Sequence, residues 1–270
     1  MLCKRRSHSI LVAECLLGDK AIKIMGALAE IMRGGYASAL WISGLSLTSL
    51  RIVLTAKTPD AACRLIAAHS RRFLDICQIK VTISGTPPKA GSGCVLCHNE
   101  ASFADVAAYL AVMWPHVDRA AGANLYAIFP FMRAATRKAA IELVPRGNRA
   151  GTERLIEKAV LAVKSGERLG WGGEGRISGQ DGVARFKVGA SLVAIRSQAP
   201  IIPVMIYGGH RLLPLGSIRA RPGEIHIRFG APISTTGLDD TDARALADKT
   251  QAATAEMYAD FKTQEGRIAP

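Results

Sequence analysis

The sequence predicts an α/β fold, a mostly parallel central sheet flanked by helices, with a helical segment ahead of it. Two observations predict it. From residue 79 onward, short apolar strings take turns with helical patterns, the order in which strands and crossover helices succeed one another in a parallel sheet. Before residue 79, apolar residues recur at helical spacing or run on almost unbroken. The chain of 270 residues therefore divides into a helical segment, 1–78, and a domain, 79–270, long enough to bury a full core.

In the first segment, Ile22, Met25, Leu28, Ala29 and Met32 fall at helical spacing, and the run from Tyr36 to Leu54 is nearly continuous. As a helix, YASALWISGLSLTSLRIVL would extend about 28 Å, close to the thickness of bilayer hydrocarbon. Its five Ser/Thr residues and Arg51 weaken insertion, so spanning, lying in the interface plane and packing as a core hairpin all remain open. The expectation is a membrane-contacting segment. Pro59 and Asp60 open a further helix.

Along the domain, IKVTISG reads as a strand, TPPKAGSG as a loop and CVLCHN as a strand. SFADVAAYLAVMW follows as a helix and AIELVP as a strand. GTERLIEKAVLAVKSG is an amphipathic helix closed by Gly166, with a short strand to Gly170 after it. KVGASLVAIRSQ is a helix, IIPVMIYG a buried strand, and EIHIRFGAPI a strand with period-two alternation.

Composition narrows the partners. Lys and Arg total 35 against 22 acidic residues, giving a net charge of +13. With a pI near 9.8, this draws the chain to a polyanion, either nucleic acid or an acidic membrane leaflet. Aromatics are only 6%, and there is no basic stripe interleaved with aromatics, no zinc-finger spacing and no RNP-like string, so no nucleic-acid partner is expected. Mean hydropathy is +0.17, high for a soluble enzyme and below a polytopic membrane protein. The six cysteines are too few and too irregular for a disulfide framework and suit a reducing, cytoplasmic setting. The opening MLCKRRSHSILVAECLLGDK is basic, but its apolar stretch is interrupted by Glu14 and lacks a small-x-small site, so no secretory signal is expected.

Several strings, in order, resemble the glycerophospholipid acyltransferase family over about Ile79 to Ile233. NEASFADV resembles its first block, Asn-His-x-Ser-x-x-Asp, with Asn99, Ser102 and Asp105 in register. LVPRGNR with Arg146 resembles the second block, GEGRISG with Glu174, Gly175 and Arg176 the third, and APIIPVMI the fourth. RPGEIHIRFGAPI is similar to the usual closing strand.

The resemblance implies transfer of a fatty acyl group from acyl-CoA or acyl carrier protein to the free hydroxyl of a lysophospholipid. The expected acceptor is 1-acylglycerol-3-phosphate, giving phosphatidic acid. It implies a His–Asp pair as general base, arginines at the substrate phosphate, and neither cofactor nor metal. It also implies an anionic membrane surface as partner, at the cytoplasmic face of the inner membrane, held peripherally or by a single helical hairpin.

One position departs from that pattern. The place of the family's histidine holds Glu100, and the nearest imidazole is His98, seven residues before Asp105 instead of five. If the strand end is extended, residues 98 and 100 project to the same side. His98 is then the favoured base, with Asp105 or Glu100 orienting it. Alternatively Glu100 takes the base's place, or the chain binds lysolipid without catalysis.

Gly172 and Gly173 stand where the family has Phe-Pro. Cys94-Val95-Leu96-Cys97-His98 also matches a c-type haem pattern, but the acyltransferase register accounts for the same residues.

Overall fold

The computed structural model describes residues 6–145 and 147–268, with side chains over 21–145 and 147–265. The chain opens with α1 (Arg6–Thr55) and α2 (Pro59–Cys77), an antiparallel pair. Thr58 caps α2 by accepting the amide of Ala61 at 3.2 Å, and Pro59 fills the first turn, where no amide is needed.

α1 is one uninterrupted helix, although Gly34 and Gly35 offered a break. At Gly34 the reason is close approach: a β-carbon there would lie 1.9 Å from the Ile218 carbonyl oxygen. The loop around residue 218 packs onto the helix, with the Ala220 amide donating to the Glu30 carbonyl and Arg219 pairing with the Glu30 carboxylate. Farther along, Trp41 stacks on His69 of α2 with ring centroids 4.9 Å apart.

Among the described residues, seven strands form one sheet. They are β1 (Ile79–Ser84), β2 (Cys94–His98), β3 (Arg119–Ala123), β4 (Ile141–Val144), β5 (Arg168–Gly172), β6 (Ile201–Tyr207) and β7 (Gly223–Phe229). Their order is β1-β7-β6-β2-β5-β3-β4, parallel except for the β6–β7 pair. Helices α3 (Phe103–Val112), α4 (Met132–Lys138), α5 (Arg149–Lys164), α6 (Gly189–Ser197), α7 (Gly209–Leu212) and α8 (Ala243–Ile268) complete the fold.

β2 lies in the middle of the sheet and is buried on both faces, as its apolar string requires. Cys94 and Leu96 pack with α2 and α3, whereas Val95 and Cys97 pack with α5 and α6. The two thiols of the haem-like pattern therefore lie on opposite faces and cannot grip one ligand. Burial pushes Cys94 up to about 11 and Cys97 higher still, which keeps both protonated.

The sequence reading missed β3 and three helices, the short α7 among them. β3 has the sequence Arg-Ala-Ala-Gly-Ala, with no β-branched or aromatic residue, and is held by pairing on both sides. Arg119 adds ion pairs to Glu142 of β4 and to Glu167. α4 and α8 were also missed, and β5 runs two residues past Gly170.

Candidate active site

The turn between β2 and α3 is fixed from both sides. Asn99, fully buried, donates to the Ile206 carbonyl at 2.9 Å and accepts the Ile206 amide at 2.8 Å, so it bridges β2 to β6 where the ladder ends. Ser102 and Asp105 form a capping box at the start of α3. One Asp105 carboxylate oxygen accepts the amides of Ala101 (2.8 Å) and Ser102 (3.0 Å).

Asp105 therefore shapes the turn, and no hydrogen bond joins it to His98. The His–Asp pair that the resemblance implies is therefore not formed, and the imidazole pairs with Glu100. His98 Nε2 lies 3.0 Å from Glu100 Oε1, and the His98 ring stacks on Tyr109 of α3 with centroids 4.3 Å apart. His98 Nδ1 is buried without a partner among the described residues. The His98 side chain is 4% exposed and that of Glu100 23%, so the carboxylate is the member of the pair that reaches solvent.

Glu174 is buried just past β5. It accepts the Glu100 amide at 3.2 Å and the Ala184 amide at 2.7 Å, tying the 99–102 turn to the loop before α6. Both its oxygens are thus spent on backbone. The adjacent glycines leave room for this arrangement. A β-carbon on Gly173 would press into the Phe186 ring at 2.7 Å, and one on Gly172 would lie 3.5 Å from the Glu100 carboxylate. Gly175 takes a φ of +67°, and Arg176 after it lines the cavity.

A cavity of about 1670 Å³ gathers these groups. Trp41, Leu45, Ile52 and Ile66 contribute apolar lining, and His98, Glu100 and Arg176 line the same cavity. Arg149, Arg185 and Lys187 also line it, exposed and without ion-pair partners among the described residues. Asp105 is absent from the lining, and Arg146 lies outside the described residues. The sequence reading missed Tyr109, whose only signal was its place one helical turn after Asp105. It also missed Arg149, Arg185 and Lys187, which no motif marks.

Burial, helped by the Glu100 charge, pushes Asp105 up to about 7 against the lowering effect of backbone amides at Ala101, Ser102 and Gly209, and burial pushes Glu174 up to about 7 as well. A carboxyl raised in this way stabilises the fold fully below its unfolded value, about 4, and that contribution is lost as pH rises through about 7. His69, His116, His210 and His226 are lowered by burial and work in the opposite direction, so a difference measurement is needed. Asp105→Asn removes the titration and keeps an oxygen for the two amides. Its melting temperature relative to wild type is expected to climb as pH goes from 5 to 8; a constant difference would contradict the raised value.

The family model described as Acyltransferase matches residues 78–207. Among solved structures, the fold is similar to the crystal structure of the 1-acyl-sn-glycerophosphate (LPA) acyltransferase PlsC from Thermotoga maritima. That likeness has a TM-score of 0.66 at 20% identity and covers 89% of this chain and 97% of that one. No curated protein matches the chain by sequence.

Proposed function

Because residues 78–207 match the Acyltransferase family model, we propose that the chain moves a fatty acyl group from a thioester carrier, acyl-CoA or acyl carrier protein, to the free hydroxyl of a lysophospholipid. The acceptor is 1-acylglycerol-3-phosphate and the product phosphatidic acid. One observation carries this reading: the His98–Glu100 pair and Arg176 line one cavity to which α1 and α2 contribute apolar side chains.

Glu100, in place of the favoured His98, takes the proton of the acceptor hydroxyl, because the buried His98 turns its Nε2 to the carboxylate while Glu100 reaches solvent, and the oxygen attacks the thioester carbonyl carbon. The tetrahedral oxyanion collapses as the C–O bond is kept and the C–S bond breaks, and the leaving sulfur recovers the proton from Glu100. His98 holds the Glu100 carboxylate, and Tyr109 holds the His98 ring. Asp105 and Glu174 fix the turn that carries the pair.

Arg176, with its planar fork, takes the acceptor phosphate. The acyl chain lies along the wall made by α1 and α2, where each buried methylene contributes about 0.8 kcal/mol. Residues 1–78 form the membrane-associating segment and 79–270 the catalytic domain. α1 supports this, since Ala21–Thr55 is long and apolar enough to cross a membrane and exposes Leu28, Met32 and Leu47. The basic charge adds attraction to an anionic leaflet, which suits the cytoplasmic face of the inner membrane.

A panel of lysolipids read by mass spectrometry tests the acceptor. Phosphate-monoester headgroups are expected to be acylated well ahead of choline or ethanolamine ones. Arg176→Ala should raise KM for 1-acylglycerol-3-phosphate by roughly tenfold or more, the worth of a charged hydrogen bond. Equal rates across headgroups would contradict the assignment. The glutamate in the family's histidine position favours a second reading, a chain that binds lysolipid without transferring to it.

A further inference from the structure

We propose that the connection from β3 to α4, residues 124–131, is a wedge that inserts into an anionic lipid bilayer beside the mouth of the cavity. It is a segment distinct from α1, and the proposal rests on the reading of the chain as membrane-associated.

Connections on a protein surface are ordinarily polar, because they face water. Here the sequence is Asn-Leu-Tyr-Ala-Ile-Phe-Pro-Phe, apolar at nearly every position. Residues Asn124–Ile128 form a short 3₁₀ turn, in which side chains three apart fall on one side. Leu125 and Ile128 share that side, and Phe131 follows three residues later. Their exposures are 66%, 73% and 50%, so one short connection carries three large apolar side chains in solvent. Phe131 has a φ of +63°, a conformation that a bulky aromatic residue adopts only under constraint.

Two further observations identify what covers this tip. First, α4 follows immediately and has no acidic residue, while its Arg133 and Arg137 are exposed and without ion-pair partners among the described residues. Aliphatic and aromatic side chains flanked by unpaired cations are complementary to hydrocarbon flanked by phosphate. Second, Leu125 and Tyr126 line the cavity, so the tip borders the space that an amphiphile would enter. The position is also held relative to α1. Lys138, at the end of α4, donates to the carbonyls of Val53 (2.7 Å) and Ala56 (3.0 Å) at the end of that helix. α1 and the wedge are thus braced together, with the cavity mouth next to both.

The test uses the full chain bound to vesicles of phosphatidylglycerol and phosphatidylcholine. Phe131→Trp is compared with wild type, and the added fluorescence is read with lipids brominated along the acyl chain. Quenching of the added signal in anionic vesicles, weaker in pure phosphatidylcholine, is the expected result. Ile128→Ser/Phe131→Asn, two positions outside the cavity lining, should slow acylation of vesicle-embedded lysolipid by roughly tenfold. Acylation of a short-chain lysolipid dissolved as monomers should be unchanged.

Wild type that binds vesicles while the added tryptophan stays unquenched would overturn the wedge and leave α1 as the anchor. Wild type that does not bind anionic vesicles would overturn both the wedge and the membrane reading. Light scattering that finds a dimer in the wild type and a monomer in the double variant would assign the tip to a second copy of the chain, and would also overturn the proposal.

Discussion

Glu100→Gln is expected to lower kcat for acyl transfer by about 10²-fold or more, the usual contribution of a positioned base, with little change in KM for the lysolipid. Glutamine keeps the size of the side chain and its contact with His98 Nε2, but it cannot accept a proton. His98→Ala is expected to cost less, about tenfold, because the carboxylate remains and loses only its support. The ranking separates the two groups. If His98 were the proton acceptor, His98→Ala would be the more damaging change. Steady-state rates with one thioester donor and 1-acylglycerol-3-phosphate decide between them, and a Glu100→Gln rate within threefold of wild type would remove Glu100 from the chemistry.

Asn99→Ala is expected to destabilise the fold by about 2–6 kcal/mol, because two backbone groups lose their partner at about 1–3 kcal/mol each. The Ile206 amide and carbonyl are buried, and the Asn99 side chain satisfies both across the end of the β2–β6 ladder. Against a typical total of about 5–15 kcal/mol, that is a large fraction. Activity should fall with it even where the protein remains folded, since Asn99 sits between His98 and Glu100 in the chain. Urea unfolding checks the first effect and a transfer assay well below the unfolding midpoint checks the second. A shift under about 0.5 kcal/mol would mean that the bridge contributes nothing.

The elements legible in the sequence are those whose residues carry their own signal. β2, β6 and β7 were readable because Cys-Val-Leu-Cys, Ile-Ile-Pro-Val-Met-Ile and the alternating Glu-Ile-His-Ile-Arg-Phe match a buried or half-buried strand. β3 was not, since its alanines and glycine have no strand preference and only the neighbouring β4 and β5 make it a strand.

The same limit applies at the site. The spacing of Asn99, Ser102 and Asp105 marked the turn, but not how the three divide its work. Asp105 turns inward to the amides of Ala101 and Ser102, which follows from its place in the first turn of α3 and not from any pairing with histidine. The partnership of His98 and Glu100 was anticipated from residues two apart on an extended chain pointing to the same side. Glu174, marked by its place in the third block, spends both oxygens on two backbone amides that only the folded chain brings near it.

Release of thiol from an acyl thioester, followed in parallel with phosphatidic acid formation by purified wild-type protein, tests the central claim most directly. Acyl transfer through the His98–Glu100 pair predicts one thiol freed per phosphatidic acid made, and no release without 1-acylglycerol-3-phosphate. Lysolipid binding with neither product above background would contradict it and identify a chain that holds the acceptor but does not acylate it.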